Sequence, residues 1–169
     1  MKCYRCQKAT MKPGRGMERY EEAAGLPYPV LLANVPVLRC ASCGEEAVSI
    51  PDAEALHRAI ARYIVASRRP LFAGEIRFLR KLLGWTAAEL GREMGLDEKT
   101  ISRWENRKKA MGTVADRLLR MIVRDRALDR GEPDLVGAVF PDILRERRPP
   151  EREPVRLRAT RRGWRQTAA

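Results

Sequence analysis

Residues 83–106 read LGWTAAELGREMGLDEKTISRWEN, and their spacing decides the fold of the chain's middle. Thr86, with Glu89 three positions on, forms a capping box that opens a helix through Leu90 to Met94. Gly95 stops that helix, since glycine reaches the left-handed conformation without a Cβ clash. Asp97 then caps a second helix. Helices joined by so short a turn cross closely, so the first needs a small residue where the second's backbone approaches. Gly91 is that residue, Gly95 makes the turn and Ile101 plugs the angle, with Leu90, Met94, Leu96 and Trp104 in the core positions. These matches, in register within residues 90–104, specify a helix-turn-helix. An ordinary antiparallel helical pair has no reason to gather so many polar and basic residues on its second helix.

With Ile101 and Trp104 assigned to the core, Glu98, Lys99, Thr100, Ser102, Arg103, Asn106 and Arg107 are left for the outward face. Arg pairs bidentately with guanine O6/N7, Lys donates to the same edge, and Thr or Ser reaches bases or phosphates. This chemistry predicts double-stranded DNA as the partner. Arg107, Lys108 and Lys109 lie just past the helix and suit phosphate contacts. So does Thr86, at the start of the helix that crosses the DNA backbone. Glu105 is expected to brace its helix, because a carboxylate near phosphate is repelled.

Working outward, Ile76, Leu79, Leu82 and Leu83 mark a preceding helix that ends at Gly84, and Thr113 is expected to cap a fourth helix carrying Leu118, Leu119 and Ile122. Further upstream, Asp52 precedes Leu56, Ile60, Tyr63 and Ile64, an apolar face at helical spacing. His57, the only histidine, lies beside that face and reads as a solvated or interface side chain. Ser67-Arg68-Arg69-Pro70 ends this helix, because the residue before proline is pushed out of the α region. Residues 67–73 are the expected linker. Beyond Gly131 the periodicity fails, and arginines scattered among prolines predict a disordered basic tail over 131–169.

All four cysteines lie upstream, in two Cys-x-x-Cys pairs, Cys3/Cys6 and Cys40/Cys43. They supply the four soft ligands of a tetrahedral Zn2+ site. Four cysteines leave no open position for water or substrate, so one structural zinc ion is expected. Gly44 fits the tight turn after the second pair. Between the pairs, Tyr28 to Val35 and Val35-Pro36-Val37-Leu38 are apolar and extended, giving a small, mostly β module. Its thin core leaves the metal to supply much of the folding free energy. The predicted fold is α+β: a zinc-binding module with a trailing helix over 1–66, then an all-α helix-turn-helix domain over 74–130.

The formal net charge is +12. Residues 67–130 carry 16 Lys+Arg against 9 Asp+Glu, so the basic excess sits mainly over the helix-turn-helix. With no apolar run of membrane length and no apolar segment after Met1-Lys2-Cys3-Tyr4-Arg5, a cytoplasmic protein without membrane contact is expected. A dithiol enzyme would belong near a βαβ pattern, which is absent. No serine, histidine or carboxylate cluster suggests hydrolysis, so no enzymatic activity is expected. A zinc-ribbon RNA-binding protein also fits the charge.

The order Cys-x-x-Cys, then NVPVLRCASCGE, then the helix-turn-helix stretch at 83–106 resembles the MqsA (YgiT-type zinc finger) family. Its members are antitoxins and transcription regulators with an N-terminal zinc domain and a C-terminal Xre-type helix-turn-helix. The resemblance covers roughly residues 1–127. It implies that Cys3, Cys6, Cys40 and Cys43 hold a structural zinc, and that the helix-turn-helix domain forms a homodimer. It places Lys99 and Arg103 where members read bases in the half-sites of a palindromic operator. It also implies repression of the chain's own operon, and capture of a ribonuclease toxin through the zinc domain. A free-standing regulator without a toxin shares the DNA-binding half. Two positions depart from the pattern: Ala87 stands where a glutamine is common, and Arg107 where a glycine often ends the recognition helix.

Overall fold

Between Val30 and Cys40 buried residues recur at nearly every second position, the period of a strand with one face in the core. The computed structural model describes residues 1–20, 25–128, 154–160 and 163–167. The elements run β1 (Met11–Arg19), β2 (Val30–Cys40), β3 (Glu46–Val48), α1 (Ala53–Ala66), α2 (Ala73–Leu82), α3 (Ala87–Met94), α4 (Glu98–Glu105), α5 (Thr113–Ala127), β4 (Val155–Thr160) and β5 (Gly163–Gln166). The predicted α+β class is what the chain adopts, a strand-rich N-terminal part followed by helices.

Strand β2 organises one sheet of order β1-β2-β4-β5, with β3 pairing β2 off that path. The β1–β2 register moves from Gly16↔Val35 to Met17↔Ala33, leaving Asn34 as the additional residue of a bulge. Asn34 sits at φ 61, a left-handed conformation that asparagine tolerates better than most residues. The bulge rephases the alternation, so Val30 and Leu32 before it and Val35 and Val37 after it all enter the same core.

The tail expected to be disordered over 131–169 instead contributes two strands. β4 runs parallel to β2, from Val30↔Val155 to Ala33↔Arg158, and β5 returns antiparallel to β4. The cause lies in VRLRAT itself, whose Val155, Leu157 and Ala159 alternate with polar residues and are buried. Trp164 of β5 is buried too, and its Nε1 donates to the Pro51 carbonyl at 3.1 Å. The rest of that tail lies outside the described residues.

Helix α1 packs on the inner face of the sheet through Leu56, Ile60 and Ile64, and α2 and α5 pack against α1. Asp52 caps α1, its carboxylate accepting from the Ala55 amide at 2.9 Å. For α5 the expected cap moves by one: Gly112 holds the N-cap position and Thr113 is the first helical residue. His57 bonds the Tyr20 hydroxyl at 2.7 Å and meets Phe78 edge-on, an interface position between sheet and helices.

Residues 67–73, expected as a linker, form a packed strap. Arg120 of α5 donates to the carbonyls of Ile64, Val65, Ser67 and Arg69, and pairs with Asp116 at 2.7 Å. Two of those carbonyls belong to the last turn of α1, where the regular helical donors run out; the Ile64 carbonyl also accepts from the Ser67 amide at 3.3 Å. Asp116 in turn accepts from the Leu71 amide at 2.8 Å. Arg69 forms a bidentate pair with Glu75 at 2.7 and 2.6 Å, and Glu75 also accepts from the Tyr28 hydroxyl. All four charged residues are buried. One apolar core runs from Val30 and Leu32 through Ile60 to Leu90 and Leu119, so the sheet and the helices share it.

Candidate nucleic-acid interface and metal centre

The two cysteine pairs sit on matched knuckles. After the first, the Gln7 amide donates to the Cys3 carbonyl at 3.0 Å; after the second, the Gly44 amide donates to the Cys40 carbonyl at 3.0 Å. Gln7 and Gly44 both have positive φ, 56 and 72, the sharp turn each knuckle needs. The knuckles bring all four Sγ atoms within 4.8 Å of one another, with Cys3–Cys43 at 3.7 Å and Cys6–Cys40 at 3.6 Å. A tetrahedron with metal–sulfur bonds of about 2.3 Å has edges of about 3.8 Å, so these separations fit an ion at the centre. They are far too long for disulfides, and the thiols are free. The Lys8 amide helps hold the Cys6 thiol down at about 6. At Cys43 the Glu45 amide pulls the same way, but burial and the three other sulfurs push that thiol up to about 12. Four sulfurs within 4.8 Å crowd around one point, and a cation placed there relieves their mutual repulsion. Glu45 clasps the knuckles together, accepting from the Tyr4 hydroxyl and pairing with Arg5 at 2.7 Å.

The helix-turn-helix is set by the residues the spacing singled out. Thr86 and Glu89 form a reciprocal capping box at 2.7 and 3.2 Å, and the Thr86 amide holds the Glu89 carboxyl below the usual range. Gly95 takes φ 67 after α3. Asp97 caps α4, accepting from the Thr100 amide at 2.8 Å, which lowers its carboxyl. Gly91 is required: a Cβ there would stand 2.7 Å from the Leu96 carbonyl oxygen. Leu90, Met94, Ile101 and Trp104 are buried between the helices. Leu96 is a correction. Expected in the core, it is 37% exposed, because its place in the turn aims its side chain outward while its amide bonds the Gly91 carbonyl.

Glu98, Lys99, Ser102, Arg103, Asn106, Arg107, Lys108 and Lys109 are all exposed, while Thr100 is half-buried. They do not stand equally free. The Thr100 hydroxyl donates to Asp97 at 2.9 Å, and the Thr86 hydroxyl to Glu89 at 2.8 Å. Asn106 donates to the Ser102 carbonyl and accepts from Arg77 at 3.1 Å. The bracing expected of Glu105 is present: it is buried and bonded to Arg80 at 2.6 and 2.9 Å. Sequence reasoning missed the donors of that brace, Arg77 and Arg80 on α2. Their spacing at i and i+3 placed them on one face, but nothing nearby in the chain named Glu105 as partner.

Helix α4 ends in a Schellman motif. The Arg107 amide donates to the Trp104 carbonyl and the Lys108 amide to the Arg103 carbonyl, with Arg107 at φ 60. Arginine thus occupies a left-handed position where glycine carries no Cβ penalty. Among the described residues no helix is long and apolar enough to cross a membrane.

Residues 76–121, from α2 into α5, match the helix-turn-helix sequence family. No curated protein matches the chain.

Proposed function

We propose that the chain is a sequence-specific repressor of transcription that reads a palindromic operator as a homodimer and is stabilised by one structural zinc ion. The family match supports DNA binding and transcription regulation as the broad role. The observation that carries the specific reading is helix α4: Ile101, Trp104 and the Glu105–Arg80 pair lock one side of it, leaving Lys99 and Arg103 exposed four residues apart on the other. Thr86, Lys108 and Lys109 are assigned to phosphates, with Ser102 and Glu98 flanking the reading face. Val114 and Met121, two turns apart on α5, are exposed apolar residues of the kind a second copy covers. Cys3, Cys6, Cys40 and Cys43 bind the zinc, since four thiolates at tetrahedral spacing suit that ion.

The test is Arg103→Ala. On a duplex recovered by in vitro selection it should lose about 1–3 kcal/mol of binding, with little loss on random DNA. Equal loss on both would make Arg103 a phosphate anchor and move the reading face elsewhere. The resemblance to MqsA-type proteins extends the proposal to an antitoxin role, with the knuckles as the toxin-binding part. Co-expression with the neighbouring gene tests that extension, and a ribonuclease co-purifying through residues 1–50 is the expected result.

A further inference from the structure

The outer face of the sheet, opposite α1, carries the cysteine knuckles at one end, on Met11, Leu38 and Cys40. Its β4–β5 end is used neither by the helices nor by the knuckles. On β4, Val155, Leu157 and Ala159 point into the core, while Arg156 and Arg158 are exposed on the other side. Register sets Arg158 directly across from Arg165 of β5, and beside Ala33 of β2. Arg156 lies in the neighbouring row beside Leu31, and Arg15 of β1 stands on the same face opposite Pro36. Residues two apart on a strand are separated by about 6.6 Å and opposed residues by about 5 Å. The guanidinium groups of Arg156, Arg158 and Arg165 therefore converge on one patch. Its register is pinned by the Asn34 side-chain amide, which donates to the Ala159 carbonyl at 2.9 Å.

Like charges directly opposite on paired strands destabilise the pairing, so Arg158 across from Arg165 needs a compensating anion. Among the described residues none is supplied: Arg156, Arg158 and Arg165 have no acidic partner there. Arg5, Arg39, Arg58, Arg69, Arg80 and Arg120 are each ion-paired. The patch also lacks what other partners need. Ala33 and exposed Met17 border it, but the β4–β5 part that holds the arginines is charged rather than apolar, unlike the core of a protein interface. The one aromatic ring on these two strands, Trp164, is turned inward and offers no platform for unpaired bases.

We propose that this face is a second, sequence-independent surface for the phosphate backbone of double-stranded DNA. It rests on the reading of the chain as a duplex-binding protein. The face lies across α1 from the helical layer, so the DNA it holds is a segment other than the one read by α4.

The test is the full chain carrying Arg156→Gln, Arg158→Gln and Arg165→Gln together, titrated with a random-sequence duplex over a range of salt. Binding at low salt should weaken about tenfold or more, and the slope of log affinity against log salt should flatten by about 2–3 units, near 0.9 for each phosphate no longer neutralised. Circular dichroism should be unchanged. A control with Arg58→Gln, Arg124→Gln and Arg126→Gln removes equal charge from α1 and α5 and should leave the slope nearly intact. An unchanged slope in the sheet variant, or equal flattening in the control, overturns the proposal. So does loss of binding to polyglutamate with the duplex slope intact, which would make this an acidic-protein surface. Should Arg103→Ala fail to separate selected from random DNA while the sheet variant still flattens the slope, the α4 reading falls and this one stands.

Discussion

In the helix-turn-helix the bonds that shape the turn span only a few residues: Thr86 with Glu89, Asp97 with Thr100, and the Leu96 amide with the Gly91 carbonyl. In the sheet the partners come from opposite ends of the chain, and the Asn34–Ala159 bond closes 125 positions. The first kind of structure forms wherever its own sequence allows. The second must wait for a long loop to close before any pairing offsets the entropy of closure. The buried Arg120–Asp116 and Arg69–Glu75 pairs tie the two kinds together at the strap.

The largest effect should come from cutting that tie. Arg120→Ala removes the hydrogen bonds to the strap carbonyls and leaves Asp116 buried without its cation, which should destabilise the chain by about 3–5 kcal/mol. Urea unfolding followed by circular dichroism should show a single transition at a lower midpoint. Two resolved transitions, one unmoved by the substitution, would mean that the helices and the sheet fold independently despite the shared core.

A smaller and local effect is expected at the knuckles. Cys3, Met11 and Cys40 form a cluster apart from the main core. Cys40→Ser, or chelation of the zinc proposed there, should therefore expose residues 1–12 and 39–48 to protease while the helical transition moves much less than with Arg120→Ala. Limited proteolysis with mass spectrometry reads the cleavage sites. Loss of helical signal across the whole chain would show that the cysteine cluster supports the main core as well.

What was legible in the sequence follows the same division. The caps of α1, α3 and α4, the Gly91 approach, the Gly95 turn and each Cys-x-x-Cys knuckle act between near neighbours, and each is where the spacing placed it. Strands β4 and β5 were missed although VRLRAT alternates apolar and polar residues, because Pro154 and the surrounding arginines outweighed six residues of period two. Glu75, Asp116 and Arg120 look like surface charges on their own helices, and only the tertiary partner reveals that they are buried. The Asn34 bulge left no local mark, since its role is to rephase a strand against β1.

The smallest effect tests whether a local rule was broken for function. Arg107 sits at φ 60 in the Schellman turn that ends α4, where a side chain strains the backbone and glycine does not. Arg107→Gly should therefore stabilise the fold by about 1 kcal/mol, since the left-handed conformation costs an L-residue about that much. Part of the gain is offset by the greater freedom of glycine in the unfolded chain. The same change should weaken binding to selected and random duplexes alike and flatten the salt slope by about one unit, as removing one phosphate partner requires. Thermal melts and two-salt titrations on one preparation read both. A more stable protein that binds DNA as before would leave the arginine without a role at that turn. A less stable one would show that its side chain is held by packing rather than strained.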